Sequence, residues 1–325
     1  MVLTDLRRLR PILGGMKQFV FGYSPEGETV GANANARYCY SVWMRHLAAW
    51  RRAGMAGPIR VAAELGPGNS LGTGIAALLS GVDHYYALDV ANYSDTRVEL
   101  VDAIAELYRR RADIPGPTEF PELSPKLDSY EFPHDIFANS DLDASLTPER
   151  LGQVRNAIAQ PGTRQGEILV RYFAPWHESS VIQPASVDVA FSQAVMEHVN
   201  DIEPTYRALS SWVREGGYMS HQIDFRSHGL ATDWNGHWSY GDWLFRIARG
   251  RRPYLLNRQP MSAHVEAIRN SEFEILNLIP IRKGKGITRD QLAPGFRGMS
   301  DEDLSTSGLF VVARKVAKEL SPSSA

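Results

Sequence analysis

The run Glu64-Leu65-Gly66-Pro67-Gly68-Asn69-Ser70 combines a carboxylate, two glycines and a hydroxyl at the end of one apolar segment (59–65) and the start of another (71–80). Gly66 and Gly68 let the backbone turn tightly and approach a ligand without side-chain interference. A helix opening behind them offers free N–H groups and a positive dipole end. Asp89 lies 23 residues beyond Gly66, at the end of a further apolar run, 84–90. An acid at that offset is placed to accept hydrogen bonds from ribose hydroxyls. These residues describe a crevice for an adenosine-containing ligand. A nicotinamide-dinucleotide loop would carry a third glycine at position 71, where Leu71 stands, and no GxxxxGK[ST] run exists. Glu64 would repel a pyrophosphate and attract an ammonium.

A second group of residues suits proton removal and polar recognition. His198 directly follows the strand candidate 187–193. Histidine serves as a base near neutral pH, while an orienting or packing role is the alternative. Along 221–228, strand alternation puts His221 and Ile223 on one side and Gln222 and Asp224 on the other. Asp224 and His228 either form a base–orienter pair or bind acceptor hydroxyls. A metal set drawn from Asp224, His228 and His237 matches no standard ligand spacing, so no metal is expected. Trp234, Asn235, His237 and Trp238, with His221 and Arg258, are candidate acceptor contacts. Indoles beside hydrogen-bonding groups suit a sugar ring, with apolar faces and polar edges. The alternative is an amphipathic flap packed on the sheet. Arg246, Arg249, Arg251 and Arg252 would either capture an anionic group or form a solvated helix end.

The elements that must position these residues alternate. Helices are expected at 34–53, 71–80, 98–111, 148–159 (Thr147 as N-cap), 202–214 (Asp201 as N-cap, Gly216-Gly217 as terminator) and near 262–270. The 34–53 helix places Cys39, Trp43, His46, Leu47 and Trp50 on one face, with Arg37, Arg45, Arg51 and Arg52 supplying polar surface. Strands are expected at 59–65, 84–90, 167–174, 187–193, 217–225, 273–281 and 308–316. The prolines of 112–146 and the aromatic-rich 226–262 mark irregular insertions. The tail, 321–325, is expected to fray. Alternation of this kind predicts an α/β fold: a Rossmann-like, seven-stranded, mostly parallel sheet with helices on both faces and ligands at the carboxyl ends of its strands. Residues 1–58 read as an N-terminal helical cap and 59–325 as the main domain.

Four segments, in order, resemble the class I S-adenosylmethionine-dependent methyltransferases, of the type 11-like kind. E-L-G-P-G-N-S is similar to their first motif and Asp89 to the acid of their second. S-V-D-V-A-F-S-Q-A-V-M-E-H-V (186–199) is similar to their fourth motif, and W-V-R-E-G-G-Y-M (212–219) to the turn before their fifth strand. The resemblance spans roughly 59–225 and the closing strands. It implies S-adenosylmethionine as cofactor and S-adenosylhomocysteine as product. Glu64 would hold the methionine ammonium, directly or through water. Gly66, Gly68 and Ser70 would border the methionine moiety, Asp89 would bind both ribose hydroxyls, and Val90 would wall the adenine slot. Ser192 and Gln193 would border the sulfonium. The third motif departs from the pattern: an acid is commonly found where Ala174-Pro175-Trp176-His177 runs here, and Trp176 either stacks on adenine or sits in the core. A looser resemblance to methyltransferase-like proteins of glycan biosynthesis suggests a sugar or glycan hydroxyl as acceptor. A secondary-metabolite N- or O-methyltransferase, an NAD-dependent oxidoreductase and a non-catalytic cofactor binder are the alternatives.

Bulk properties narrow the partners. The 325 residues carry 35 Lys+Arg and 37 Asp+Glu, a net charge of −2, which disfavours nucleic acid as partner. The composition, 43 % hydrophobic and 22 % charged, is that of a globular chain. One cysteine, Cys39, excludes CxxC chemistry and an internal disulfide, and points to a reducing, cytoplasmic setting. No run approaches the ~20 apolar residues of a membrane span. The N-terminal segment, with Arg7, Arg8, Arg10 and Lys17 among leucines, does not read as a secretory signal. It reads as a surface helix interrupted by Pro11, Gly14 and Gly15, with weak peripheral membrane contact as the alternative.

Overall fold

The computed structural model describes residues 6–22, 35–93, 95, 97–137, 139–176, 178–252 and 255–316. His177 and the tail 321–325 lie outside the described residues. The chain forms α1 (Leu6–Phe21), α2 (Ala36–Arg52), β1 (Val61–Leu65), α3 (Gly72–Leu79), β2 (His84–Leu88), α4 (Glu99–Arg109), α5 (Asn139–Ser145), α6 (Pro148–Ala159) and β3 (Leu169–Phe173). It continues with β4 (Val187–Gln193), α7 (Ile202–Trp212), β5 (Val213–Asp224), α8 (Asp242–Arg249), α9 (Met261–Arg269), β6 (Phe273–Arg282), α10 (Asp301–Ser305) and β7 (Thr306–Lys315). The seven strands make one sheet in the order β3-β2-β1-β4-β5-β7-β6. β1 to β5 pair in parallel, and β7 runs antiparallel to both β5 and β6. This is the expected Rossmann-like, mostly parallel sheet with helices on both faces.

Alternation along the strands divides two cores. Ala62, Tyr85, Val189, Phe191, Phe310 and Val312 face α2, α3, α4 and α6. Ala63, Leu88, Ala190, Met219, Leu309 and Val311 face α7 and α9. The strand order reverses between β1 and β4, so the carboxyl ends of β1, β2, β4 and β5 open onto one crevice. The first candidate loop and the post-β4 segment therefore face each other.

Several local expectations change. α2 begins where Asn35 accepts from the amides of Arg37 and Tyr38 at 2.9 and 3.3 Å. Every residue of α2 from Cys39 to Trp50 is buried, because the 112–137 segment covers its outer side. Arg45 is thus not surface: its guanidinium donates to the carbonyls of Pro125 and Pro115 at 2.5 and 3.0 Å and fastens the proline-rich segment to the helix. Within 112–146 the structure forms α5, and within 226–262 it forms α8, so neither insertion is wholly irregular. Thr147 caps α6 as expected, accepting from Arg150 N at 3.4 Å. α7 stops at Trp212, and Gly216-Gly217 lie inside β5, at its register shift against β4. α1 runs unbroken through Pro11 and docks on α8. Gly15 permits that contact, since a Cβ there would stand 1.9 Å from the Ile247 carbonyl oxygen. Its other side leaves Leu13, Val20 and Phe21 exposed. No helix among the described residues is long and apolar enough to cross a membrane.

Candidate active site

The glycine loop takes the conformation its residues permit. Gly66 and Gly68 have φ of +66° and +73°, in the left-handed region that disfavours a side chain. At Gly66 a Cβ would also come within 2.4 Å of Val195 Cγ2, so the loop nests against the segment after β4. Gly66 N donates to Leu88 O at 2.7 Å, tying the loop to the end of β2. Asp89 comes directly after that strand. Its Oδ1 accepts from Val90 N at 2.7 Å and its Oδ2 from Gly68 N at 3.2 Å. Burial pushes the Asp89 carboxyl up to about 6 against the pull of the Val90, Gly68 and Ala91 amides. Val90 is exposed beside it. The backbone N of Trp176 donates to Asp89 O at 3.1 Å, while the Trp176 ring meets Trp212 edge-on at 5.3 Å. Trp176 therefore flanks the acid and packs into the core beneath.

Glu64 lies behind the loop. It is 3 % exposed and accepts from Tyr85 Oη at 2.5 Å, with the Thr73 side chain as a second donor. Burial raises its carboxyl to about 8 despite those hydrogen bonds. Ser70, also buried, accepts from Gly72 N at 3.3 Å and shapes the turn into α3. At the end of β4, Ser192 Oγ lies 2.8 Å from His221 Nδ1, and both side chains are buried. Gln193 keeps a buried Oε1 with no hydrogen-bond partner among the described residues.

Across the crevice the structure gathers a second cluster. After β4 the chain turns at Ala194, with φ of +54°, and Asn257 clamps residues 196–199. Asn257 Nδ2 donates to Met196 O and Val199 O at 2.7 and 2.8 Å, and Asn257 N to Glu197 O at 2.7 Å. That fixes Glu197 and His198. The His198 and His228 rings meet edge to face at 5.1 Å. His228 Nε2 is 3.4 Å from Asp224 Oδ2, on a backbone with φ of +46°. Arg226 chelates Asp224, with Nη2 at 2.6 Å from Oδ2, and reaches Glu122 Oε2 at 2.7 Å. Burial alone would raise the Asp224 carboxyl, but His228 and Arg226 outweigh it and hold it well below the usual range. Burial, with the His228 charge, lowers His198 to about 4, so its imidazole is neutral at pH 7. The predicted catalytic residues His198, Asp224 and His228 are thus brought together.

The predicted acceptor contacts are not. His221 and His237 are buried, and burial lowers each to about 3. Asn235 accepts from Ile287 N at 2.7 Å and staples the 226–241 segment to the loop after β6. Trp238 is in the core, its Nε1 donating to Arg258 O at 3.0 Å. Arg258 pairs with Asp242 at 2.7 Å and lies over the Phe245 ring at 4.0 Å. Asn235, His237, Trp238 and Arg258 are engaged in packing and tethering, because the flap folds down as a layer of the body, and His221 is buried within β5, where it meets Ser192. Arg249 and Arg252 are likewise used internally, on Asn200 Oδ1 and the Ala248 carbonyl. Trp234 is buried as well, but with Arg226, His228, Asp233, Lys283 and Lys285 it contributes to the lining of a cavity of about 320 Å³.

The sequence reading placed Glu197 and Gln222 without giving either a role, and did not single out Lys283 or Lys285. Gln222 Oε1 accepts from Ser124 N at 2.6 Å and holds the proline-rich segment over the end of β5. Glu197 is 2 % exposed, and neither carboxylate oxygen has a hydrogen-bond partner among the described residues. Burial pushes its carboxyl well above the usual range. Its position beside His198 in the post-strand run was the available signal.

No family model matches the chain, and no curated protein matches it. Solved structures do resemble it. A SAM-dependent methyltransferase from Methanosarcina mazei aligns over 82 % of this chain and 98 % of its own at 11 % identity, TM-score 0.42. An S-adenosylmethionine-dependent methyltransferase from Mesorhizobium loti aligns over 82 % of this chain and 96 % of its own at 13 % identity, TM-score 0.40. Phosphoethanolamine N-methyltransferase 2 of Haemonchus contortus aligns over 87 % of this chain and 58 % of its own at 10 % identity, TM-score 0.42.

Proposed function

We propose that the chain is an S-adenosylmethionine-dependent methyltransferase of class I, acting on an oxygen of a small polar acceptor. One observation carries this reading. The Asp89 carboxylate stands at the end of β2, within 3.2 Å of the amide of a left-handed glycine, at the reversal of strand order. Each carboxylate oxygen, beyond the amide it already accepts from, has a further lone pair for a ribose hydroxyl. The sheet order, with antiparallel β7 between β5 and β6, is the class I methyltransferase arrangement and supports the same reading. Leu71, buried where a dinucleotide loop needs glycine, argues against NAD.

In this reading Gly66, Gly68 and Ser70 border the methionine moiety, Val90 walls the adenine, and Ser192 and Gln193 face the sulfonium. Glu64, engaged by Tyr85 and Thr73, answers the ammonium by ionising as the cofactor arrives, since a nearby positive charge draws down a carboxyl that burial holds near 8. Methyl transfer is an in-line displacement that requires two reactants held in register and water excluded. Neutral His198 takes the acceptor proton, and Asp224 orients His228 beside it. The acceptor lies in the cavity by His228. A sugar or glycan hydroxyl fits a lining of one indole, Trp234, and polar groups, and Lys283 and Lys285 suit an acidic substituent. A cytoplasmic setting belongs to the proposal, supported by the lone buried Cys39. So does weak membrane contact by α1, supported by exposed Leu13, Val20 and Phe21.

The test is a radiolabelled methyl-transfer screen against nucleotide sugars, oligosaccharides, phenolic metabolites and small amines. Incorporation into a hydroxyl compound, lost in His198→Ala, is expected. Incorporation only into amines would overturn the oxygen acceptor, and full turnover of His198→Ala would overturn the base.

A further inference from the structure

We propose that Glu197, His198 and His228 form a binding site for a divalent transition-metal cation at the mouth of the acceptor cavity. One ligand atom from each, an imidazole nitrogen or a carboxylate oxygen, lies within 4.8 Å of the other two. A single ion could bridge atoms so spaced after small side-chain adjustments. The second observation is independent of that spacing. Glu197 is sealed in the protein at 2 % exposure, and neither carboxylate oxygen has a well-formed hydrogen bond among the described residues, the amides of Glu197 and Asp224 lying near without closing one. A buried carboxylate without well-formed hydrogen bonds is costly, and coordination of a cation is one of the few ways to satisfy it. The backbone points the same way. His228 is held at φ +46°, a conformation that a non-glycine residue adopts at a cost and that aims its ring at His198. Asp224, 3.4 Å from His228 Nε2, supplies the carboxylate that commonly orients a ligating imidazole.

Two imidazoles and one carboxylate form a donor set of intermediate softness. It favours Zn²⁺, Mn²⁺, Fe²⁺ or Co²⁺ over Mg²⁺ and Ca²⁺, which prefer oxygen ligands. Three protein ligands leave coordination positions open, and His228 faces the cavity. The chemical role rests on the methyltransferase reading; the cation site itself does not. An acceptor hydroxyl bound to the cation loses its proton to solvent more readily. Its oxygen lone pair then forms the new O–C bond as the S–C bond breaks. That electron pair returns to sulfur, leaving a neutral thioether. With the cation bound, it prepares the nucleophile in place of the free His198 imidazole that serves as base in its absence.

The full chain, stripped with chelator, would be titrated with Mn²⁺ by calorimetry and electron paramagnetic resonance, with Mg²⁺ alongside. One Mn²⁺ per chain is expected, with far weaker Mg²⁺ binding. Glu197→Gln and His228→Gln should each weaken Mn²⁺ by about 100-fold or more, beyond the loss typical of an orienting neighbour. Circular dichroism checks the fold. If Glu197→Gln does not fold, His228→Gln alone decides, because that ring is exposed. No saturable Mn²⁺ binding to the wild type, or binding that survives the folded variants, would overturn the site. S-adenosylmethionine is titrated into the same samples. Cofactor binding without Mn²⁺ binding overturns the cation site alone. Mn²⁺ binding without cofactor binding supports the site and overturns the methyltransferase reading.

Discussion

At the scale of residues, two buried carboxyls make opposite demands on pH. Asp89 titrates near 6 because burial outweighs its amide hydrogen bonds, and its ionised form is the better acceptor for a ribose diol. Cofactor affinity should therefore hold from pH 8 to 7 and decline as pH falls through 6. Asp89→Ala should weaken it about 10- to 100-fold, the worth of hydrogen bonds to a charged group. Calorimetry across that range checks both, and flat affinity down to pH 5 would remove Asp89 from the ribose contact. Glu64 acts on stability instead. Its folded value of about 8 lies above its ordinary value of 4.5, so the folded state holds its proton more tightly. That contribution is fully present below 4.5 and is lost as pH rises through 8. Glu64→Gln should thus gain melting temperature relative to the wild type between pH 5 and 8 and plateau above. Asp89 and Glu64 were both legible as acids flanking a glycine turn. Their different roles were not, since Tyr85 and Thr73 reach Glu64 only in the folded sheet.

At the scale of elements, the strand ends were readable because short apolar runs and turn residues are local signals. The limits of β4 match the sequence reading, while α7 and β5 do not, because Gly216-Gly217 serves a register shift instead of a helix end. Between the two readings of the flap, acceptor contact or packed layer, the sequence could not choose, for a physical reason. Asn235, Trp238 and Arg258 look like ligand-binding chemistry until their partners, Ile287 and Asp242 among them, are known. Two substitutions test the element contacts. Gly66→Ala forces φ +66° on a residue with a side chain and drives it into Val195. It should cost about 1–3 kcal/mol in urea unfolding from backbone strain alone and abolish cofactor binding. Gly15→Val should undock α1 from α8, speeding tryptic cleavage at Arg10 and Lys17 while leaving the main unfolding transition in place. Unchanged cleavage would contradict the role given to Gly15.

Across the whole molecule, the crevice at the reversal of strand order is walled by parts that are remote in sequence. Arg45 holds the proline-rich segment on α2, and Gln222 and Arg226 hold it at the end of β5. Asn257 fixes the segment after β4 from the far side. The near-neutral charge hides a mixed site: Lys283 and Lys285 line the acceptor-side cavity together with Arg226 and Asp233, and Asp224 lies beside it, paired with Arg226 and His228. The central claim is that this crevice takes S-adenosylmethionine. Calorimetric titration of the wild type and Asp89→Ala with S-adenosylmethionine and with NAD tests it most directly. One saturable site for S-adenosylmethionine, weakened in the variant, with no heat from NAD, is the predicted result. Binding of NAD, or no binding of S-adenosylmethionine, would contradict it.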